Sequence, residues 1–304
     1  MATNGNAGLD AVLLGRVTDR LGIPAAVPVS REGLALVYGA WSRTVPFDNI
    51  GKMISLRAGD QRLSGHDASA FFEHFLAHGS SGTCWPSSNA LFMLLTSLGF
   101  DARRVAGAMF NMPHINHGSV KVRLDEVDWL ADSSMLSGVP LPLTDTVFVS
   151  AVAVGIEVEP VGDSHFIWAD FPPFPEFVPC SLRLDPVDAA FYEERYESSR
   201  EMSPFNERLY LRKVTSDGLM VILGHTRFLR TVNGLDVQEL SREGLCAALH
   251  QDAGISEALI TRWVDSGSLE STFSYQDAGP ELPDNGPRPT RRQPPVAASA
   301  SQGY

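Results

Sequence analysis
Apolar positions recur at helical spacing through much of the first 100 residues. Between Ala11 and Leu21 they fall at Val12, Leu13, Val17 and Leu21, and over 30–43 at Leu34, Leu36, Val37 and Trp41 after a Ser-x-x-Gly start; both patterns predict amphipathic helices. A third helix is predicted over Ala68–His78, where Phe71, Phe72, Phe75 and Leu76 form a wide apolar stripe. The fourth, 86–98, is apolar on nearly every side and should be buried, with Pro86 in its first turn and Gly99 as terminator. After Gly99 the period shifts to two. Runs at 104–110, 119–124 and Val127–Ala131 predict strands, and Asp125-Glu126 predicts a tight hairpin turn between the last two. Further strands are predicted at 147–158, 165–169, 209–214, 219–223 and 226–232, with Asp217-Gly218 and Asn233-Gly234 as turn dipeptides. Helical spacing returns over 241–250 and 256–266. From Asp277 onward the chain is rich in Pro, Gly, Ala and Ser with almost no bulky apolar side chain, which predicts a disordered tail.

Composition narrows the function classes. With 304 residues the chain is long enough to bury a core without disulfides or metals. A formal net charge of −12, and no basic run longer than Arg103-Arg104 or Arg291-Arg292, oppose capture of nucleic acid. Three cysteines, Cys84, Cys180 and Cys246, are too few and too far apart for a disulfide framework or a zinc site, and point to a reducing cytoplasm. No apolar run is long enough to span a bilayer and the N-terminus lacks a signal pattern, so no membrane association is expected. His66, His74 and His78 lack the HExxH pattern, and no metal is expected.

The strongest local feature is Gly82-Thr83-Cys84-Trp85-Pro86, a cysteine in a small-residue turn just before the apolar helix. The helix macrodipole and free backbone N–H groups favour a thiolate there, so Cys84 is a candidate nucleophile; the competing reading is a buried structural thiol, which also describes Cys180 and Cys246. A nucleophilic thiol needs a base and a group that orients the base. If Asp125-Glu126 is a two-residue turn, Leu124 pairs with Val127, Ser119 with Asp132, and His117 lies on the diagonal from Asp132 on the same face. A four-residue loop preserves that parity, whereas a three-residue loop puts the two on opposite faces. His114 is the alternative base, although it follows Pro113 in a loop. Glu193, Glu194 and Glu197 read as a solvated helical face.

Taken together, these residues resemble the arylamine N-acetyltransferase family. The resemblance is carried in order by TVPFDN at 44–49, GTCWPSSN at 82–89, LGFDARRVAGAM at 98–109, HGSVKV with DWLADSSM around His117 and Asp132, and MSPFNERLYLRK at 202–213. It covers about residues 8–275. It implies an α+β fold with a helical bundle over 1–100, a β-barrel over 101–205 and an α/β lid over 206–275, the tail being 276–304. It also implies Cys84 as acyl-accepting nucleophile, His117 as base and Asp132 as its orienter, with Phe47, Phe205, Ser133 and Ser134 at the substrate pocket.

Several positions depart from the family's pattern. Ser80-Ser81-Gly82 stands where the family usually has Arg-Gly-Gly, Asp48 where it has the glutamate that pairs with that arginine, and Ser133-Ser134-Met135-Leu136 where it has Val-Gly-Phe-Gly. Lost glycines alter how closely a donor's pantetheine approaches the backbone. The implied activity is N-acyl transfer through a Cys84 acyl-enzyme to a small-molecule amine, by ping-pong steps. The donor is acetyl-CoA, another acyl-CoA or an acyl-carrier-protein phosphopantetheine thioester, as in natural-product amide synthases, with no permanently bound cofactor. The alternatives are a cysteine hydrolase with the same triad and a catalytically silent binding protein.

Overall fold
Small polar side chains set most of the helix starts. Asp10 accepts from the N–H groups of Val12 and Leu13 to open α1 (Ala11–Leu21), and Ser30 accepts from Gly33 to open α2 (Arg31–Thr44). The computed structural model describes residues 8–110, 112–144, 146–151, 154–161, 164–174 and 176–276; of the expected tail 276–304, residues 277–304 lie outside the described residues. After the two-residue strand β1 (Phe47–Asp48) comes α3 (Ile50–Ala58), a helix that the sequence pattern does not predict. Then follow α4 (Ala68–His78), opened by Asp67, and α5 (Cys84–Ser97).

The inward faces are narrower than the sequence pattern suggests. In α1 the buried stripe is Leu13, Val17 and Leu21, and Val12, predicted to share it, is 74% exposed; in α2 Leu36 likewise faces out. Positions spaced by four stay on one stripe, while Val12 and Leu36 fall a full residue's rotation from it. The helix α5 is buried on nearly all sides as expected, but it begins at Cys84 and not at Pro86.

The centre is an antiparallel sheet of eight strands in the order β5-β4-β3-β2-β9-β8-β7-β6. They are β2 (Asp101–Met109), β3 (His117–Leu124), β4 (Val127–Ala131), β5 (Leu141–Pro142), β6 (Val147–Ala151), β7 (Val154–Val161), β8 (Ser164–Asp170) and β9 (Val178–Arg183). Its end strands β5 and β6 approach each other, so the sheet curls into a nearly closed barrel. The single strand predicted over 147–158 is two strands, because β6 and β7 pair antiparallel with Val147 opposite Val158. β9 is a strand that the Pro-rich sequence around it conceals.

Helix α6 (Ala189–Ser198) leaves β9 and packs back on α5. The second sheet runs β1-β10-β11-β12-β13, formed by β10 (Tyr210–Val214), β11 (Gly218–Leu223), β12 (Thr226–Thr231) and β13 (Gly234–Glu239), so a strand from the helical segment joins the lid. Helices α7 (Arg242–Gln251), α8 (Glu257–Asp265) and α9 (Ser268–Ser274) cover its far face. Three apolar clusters follow from this layout: one among α1, α2, α4 and α5, one inside the barrel and under the lid sheet that contains Cys84, and one between the lid sheet, α3 and α7–α9. Each fully buried Leu or Phe in them contributes about 1.5–3 kcal/mol. Among the described residues no helix is long and apolar enough to cross a membrane.

Candidate active site
The β3–β4 hairpin turns through Asp125 and Glu126, both left-handed at φ 48° and 63°, which is the two-residue hairpin turn whose twist matches its strands. The register runs from Leu124 opposite Val127 to Val120 opposite Ala131, so the next pair is Ser119 and Asp132 and the diagonal brings His117 to Asp132. Their bond, His117 Nε2 to Asp132 Oδ2, is 2.7 Å, and both side chains are almost wholly buried.

Asp132 is held from its other side as well. Its Oδ1 accepts from the backbone N–H of Ser134 at 2.9 Å, the Ser134 hydroxyl at 2.9 Å and the backbone N–H of Met135 at 2.8 Å. The Tyr38 hydroxyl donates to the Asp132 carbonyl at 2.8 Å. Burial favours the neutral carboxyl, but the His117 imidazolium and these donors outweigh it and hold Asp132 below the usual carboxylate range. Burial likewise opposes charging of His117. The Asp132 charge, together with the neighbouring Cys180 and Cys84 and the bonds from Asp132 and Cys84, holds the imidazole well above its ordinary value.

Cys84 arrives from the opposite wall as the first residue of α5. Its Sγ lies 3.7 Å from the Asn116 carbonyl, and the sulfur is close enough to the His117 imidazole to help raise it. Because Nε2 of His117 is committed to Asp132, Nδ1 is the nitrogen left for Cys84. Gly118 makes the close approach possible: a Cβ there would lie 2.7 Å from the Trp85 ring and 3.1 Å from Tyr192. Ser88, one turn along α5, donates to the Gly118 carbonyl at 2.7 Å and bonds the Ser133 hydroxyl at 2.8 Å, locking helix to hairpin. Burial pushes the Cys180 thiol up to about 12 and also raises Cys246.

The segment before Cys84 is fastened by Asp48. Its Oδ1 accepts from the Ser80 hydroxyl at 2.8 Å and the Ile50 N–H at 3.1 Å, and its Oδ2 from the Ser81 N–H at 2.7 Å. The Ser81 hydroxyl also donates to the Pro46 carbonyl. Asn49 binds the far segment, donating to the carbonyls of Phe205 at 3.0 Å and Arg208 at 2.7 Å and accepting from the Tyr210 N–H at 2.8 Å. Phe205 therefore stacks edge-on against Phe47, ring centroids 5.4 Å apart, with Tyr210 completing the triangle.

Of the residues expected at the substrate pocket, Phe47 and Phe205 meet each other, whereas the hydroxyls of Ser133 and Ser134 are taken by Ser88 and Asp132. His114 is exposed and is not joined to Cys84, His117 or Asp132. Glu197 is less exposed than expected, because it accepts from the Leu63 N–H at 2.9 Å. Lys52 is a neighbour that the sequence pattern does not reveal: it sits in α3, and its Nζ donates to the Ser199 hydroxyl at 2.8 Å. Burial pulls it down to about 8, against the raising influence of Cys84 and Glu197. Two surface cavities, of about 500 and about 250 Å³, have none of Cys84, His117 and Asp132 in their walls. No group of His, Cys, Asp and Glu that could hold a metal occurs among the described residues.

Residues 32–146 match the N-acetyltransferase family model. No curated protein sequence is significantly similar to the chain. Among solved structures, the arylamine N-acetyltransferase of Mycobacterium smegmatis aligns with a TM-score of 0.72 at 18% identity, covering 83% of this chain and 97% of its own. The Mycobacterium marinum enzyme in complex with CoA gives 0.73 at 16% identity, with 85% and 97% covered. A Bacillus cereus arylamine N-acetyltransferase, described as having a Cys-His-Glu catalytic triad, gives 0.68 at 17%, with 80% and 98% covered. The chain thus takes the arylamine N-acetyltransferase fold, and the residues that match the N-acetyltransferase family model, 32–146, are the ones that hold Cys84, His117 and Asp132.

Proposed function
We propose that the protein is an N-acyltransferase that passes an acyl group from a thioester through Cys84 to a small-molecule amine. The observation that carries this reading is the buried Cys84–His117–Asp132 constellation, in which a thiol at a helix start meets an imidazole already fixed by a carboxylate. In the first step the Cys84 proton passes to Nδ1 of His117 and the thiolate attacks the donor carbonyl. The bond to the donor sulfur breaks, and that sulfur leaves with the proton. In the second step the amine attacks the acyl-cysteine, His117 takes its proton, and the Cys84 thiol is released as the amide forms. Asp132 fixes the tautomer throughout and stabilises the imidazolium. The CoA complex of the M. marinum relative supports an acyl-CoA donor, and a carrier-protein phosphopantetheine thioester offers the same chemistry.

Intact-mass spectrometry after incubation with a panel of acyl-CoA and acyl-carrier thioesters tests the reading. An acyl adduct is expected on the wild type and absent from Cys84→Ala. No adduct with any donor overturns it, and release of free acid at an unchanged rate in the presence of amine replaces transfer with hydrolysis.

A further inference from the structure
The lid sheet presents two unlike faces. Phe47 pairs with Arg212 and Asp48 with Leu211, so Asp48 points to the α3 side. Phe47, Arg212 and Val221 share the face turned to the apolar cluster that holds Cys84. Arg212 is the anomaly on that face. It is 4% exposed, its guanidinium lies 4.2 Å from the Phe171 ring centroid and 5.7 Å from that of Phe47, and its Nε and Nη1 are buried with no hydrogen-bond partner among the described residues.

The acids next to those two rings are committed elsewhere. Asp170, beside Phe171, is held by Arg230 at 2.7 Å, and Asp48, beside Phe47, lies on the opposite face with its oxygens taken by Ser80, Ser81 and Ile50. Ring faces compensate the charge of a guanidinium but leave its in-plane N–H donors unmade, and a buried charge without a partner is costly. Each of those donors forms, with Nη2, one of the two planar forks of the guanidinium, and the complement of either fork is a carboxylate. The strand that carries Arg212 is also near Cys84 in the fold: Phe47 is bridged to Gly82, two residues before Cys84, and the Arg212 backbone pairs with Phe47 one strand further, about 5 Å from it.

We propose that Arg212 is a carboxylate-binding residue of the substrate site, engaging a carboxylate on either the amine or the acyl group. This rests on the acyl-transfer reading for its placement. The acceptor arm of the test compares 4-aminobenzoate with 4-methylaniline, and the donor arm compares succinyl-CoA with butyryl-CoA, each by the rate of turnover or of Cys84 adduct formation. One arm is expected to favour the carboxylate by about 10- to 100-fold in the wild type, with that preference lost in Arg212→Gln while the neutral partner is little changed. Arg212→Lys keeps the charge without the fork and should lose most of the preference; it decides the matter if the glutamine variant does not fold. No preference in either arm of the wild type, or a preference that survives substitution, overturns the proposal. If no donor acylates Cys84 the acyl-transfer reading fails separately. The rise in melting temperature with 4-aminobenzoate over that with 4-methylaniline, in wild type against variant, then still answers for Arg212 on the acceptor side, and equal shifts overturn it there.

Discussion

Two buried aspartates stand on either side of Cys84, and their likeness makes their difference informative. Each accepts four hydrogen bonds, from Ser80, Ser81 and Ile50 at Asp48 and from His117, Ser134 and Met135 at Asp132. Each closes on a backbone N–H two residues ahead, the Asx geometry that Asp favours. Yet burial wins at Asp48, raising its carboxyl above the ordinary range, while the cation beside Asp132 reverses the balance there. Donors alone do not fix the charge of a buried carboxylate; a neighbouring imidazolium does. Asp132 is thereby built to stay ionised beside His117, and Asp48 to hold together the strand, helix and loop that lead to Cys84.

Removing charge at each site separates the two roles most sharply. In Asp132→Asn the amide N–H₂ would donate to Nε2 of His117, leaving Nδ1 protonated and unable to take the Cys84 proton. The rate of amide formation should fall by about 10³- to 10⁴-fold with the fold retained. In Asp48→Asn one amide donor would confront the Ser81 or Ser80 donors, which costs about 1–3 kcal/mol of stability, with turnover within about tenfold of wild type. Steady-state kcat/KM and denaturant unfolding on the same preparations measure both. An Asp48→Asn variant as inactive as Asp132→Asn would end the distinction.

The Asp132 side was far more legible in the sequence than the Asp48 side. A hairpin with a two-residue turn fixes parity, so the His117–Asp132 diagonal follows from counting, and the turn at Asp125-Glu126 sits where the polar pair interrupts the apolar alternation. The helix limits of α1 and α4 are likewise readable, because a capping aspartate precedes each and a glycine follows. Around Asp48 the missing arginine and glycine are visible as departures, but the replacement, in which two serines supply the donors, depends on a tertiary approach over more than 30 residues. Helix α3 escapes for a related reason: it opens with Ile-Gly and buries Lys52, so no clean apolar stripe appears. The run 147–158 offers no Pro, Asn or Asp at its reversal. Arg212 is concealed because a charged residue in a strand reads as the solvent side.

The opposite carboxyl shifts also have opposite linkage signs. For Asp132, held low, the unfolded chain binds its proton first, so its contribution to stability is present above the ordinary carboxylate range and is lost as pH falls through it. For Asp48, held high, the native state binds the proton first. Between its raised value and the ordinary one, stability then grows as pH falls. The advantage of wild type over Asp48→Asn should therefore widen as pH is lowered from 7 towards 4, by about 1.4 kcal/mol for each unit by which the native carboxyl is raised. Urea midpoints at stepped pH read this directly, and a gap independent of pH would mean that Asp48 shares the ionised state of Asp132.

The smallest difference, between two variants of one residue, concerns the loop that carries Asp132. Of the two family glycines replaced there, Ser134 has no left-handed backbone, but Leu136 does, at φ 54°, with its side chain buried in the helical core. A left-handed conformation costs a residue with a Cβ about 1–2 kcal/mol, and burial of the leucine offsets it. Leu136→Ala keeps the backbone cost and loses most of the packing, for a destabilisation of about 2–5 kcal/mol. Leu136→Gly loses one more methyl-sized group yet relieves the backbone. It should therefore be as stable as the alanine variant or more so by up to about 1 kcal/mol, the reverse of the usual order in which glycine is the weaker residue. Because Leu136 faces the helical core and Met135 the cluster holding Cys84, both variants should retain the His117–Asp132 bond and the Cys84 adduct. A glycine variant clearly less stable than the alanine one would show that the loop around Asp132 bears no backbone cost, and that it is fastened, like the loop at Asp48, by side-chain hydrogen bonds alone.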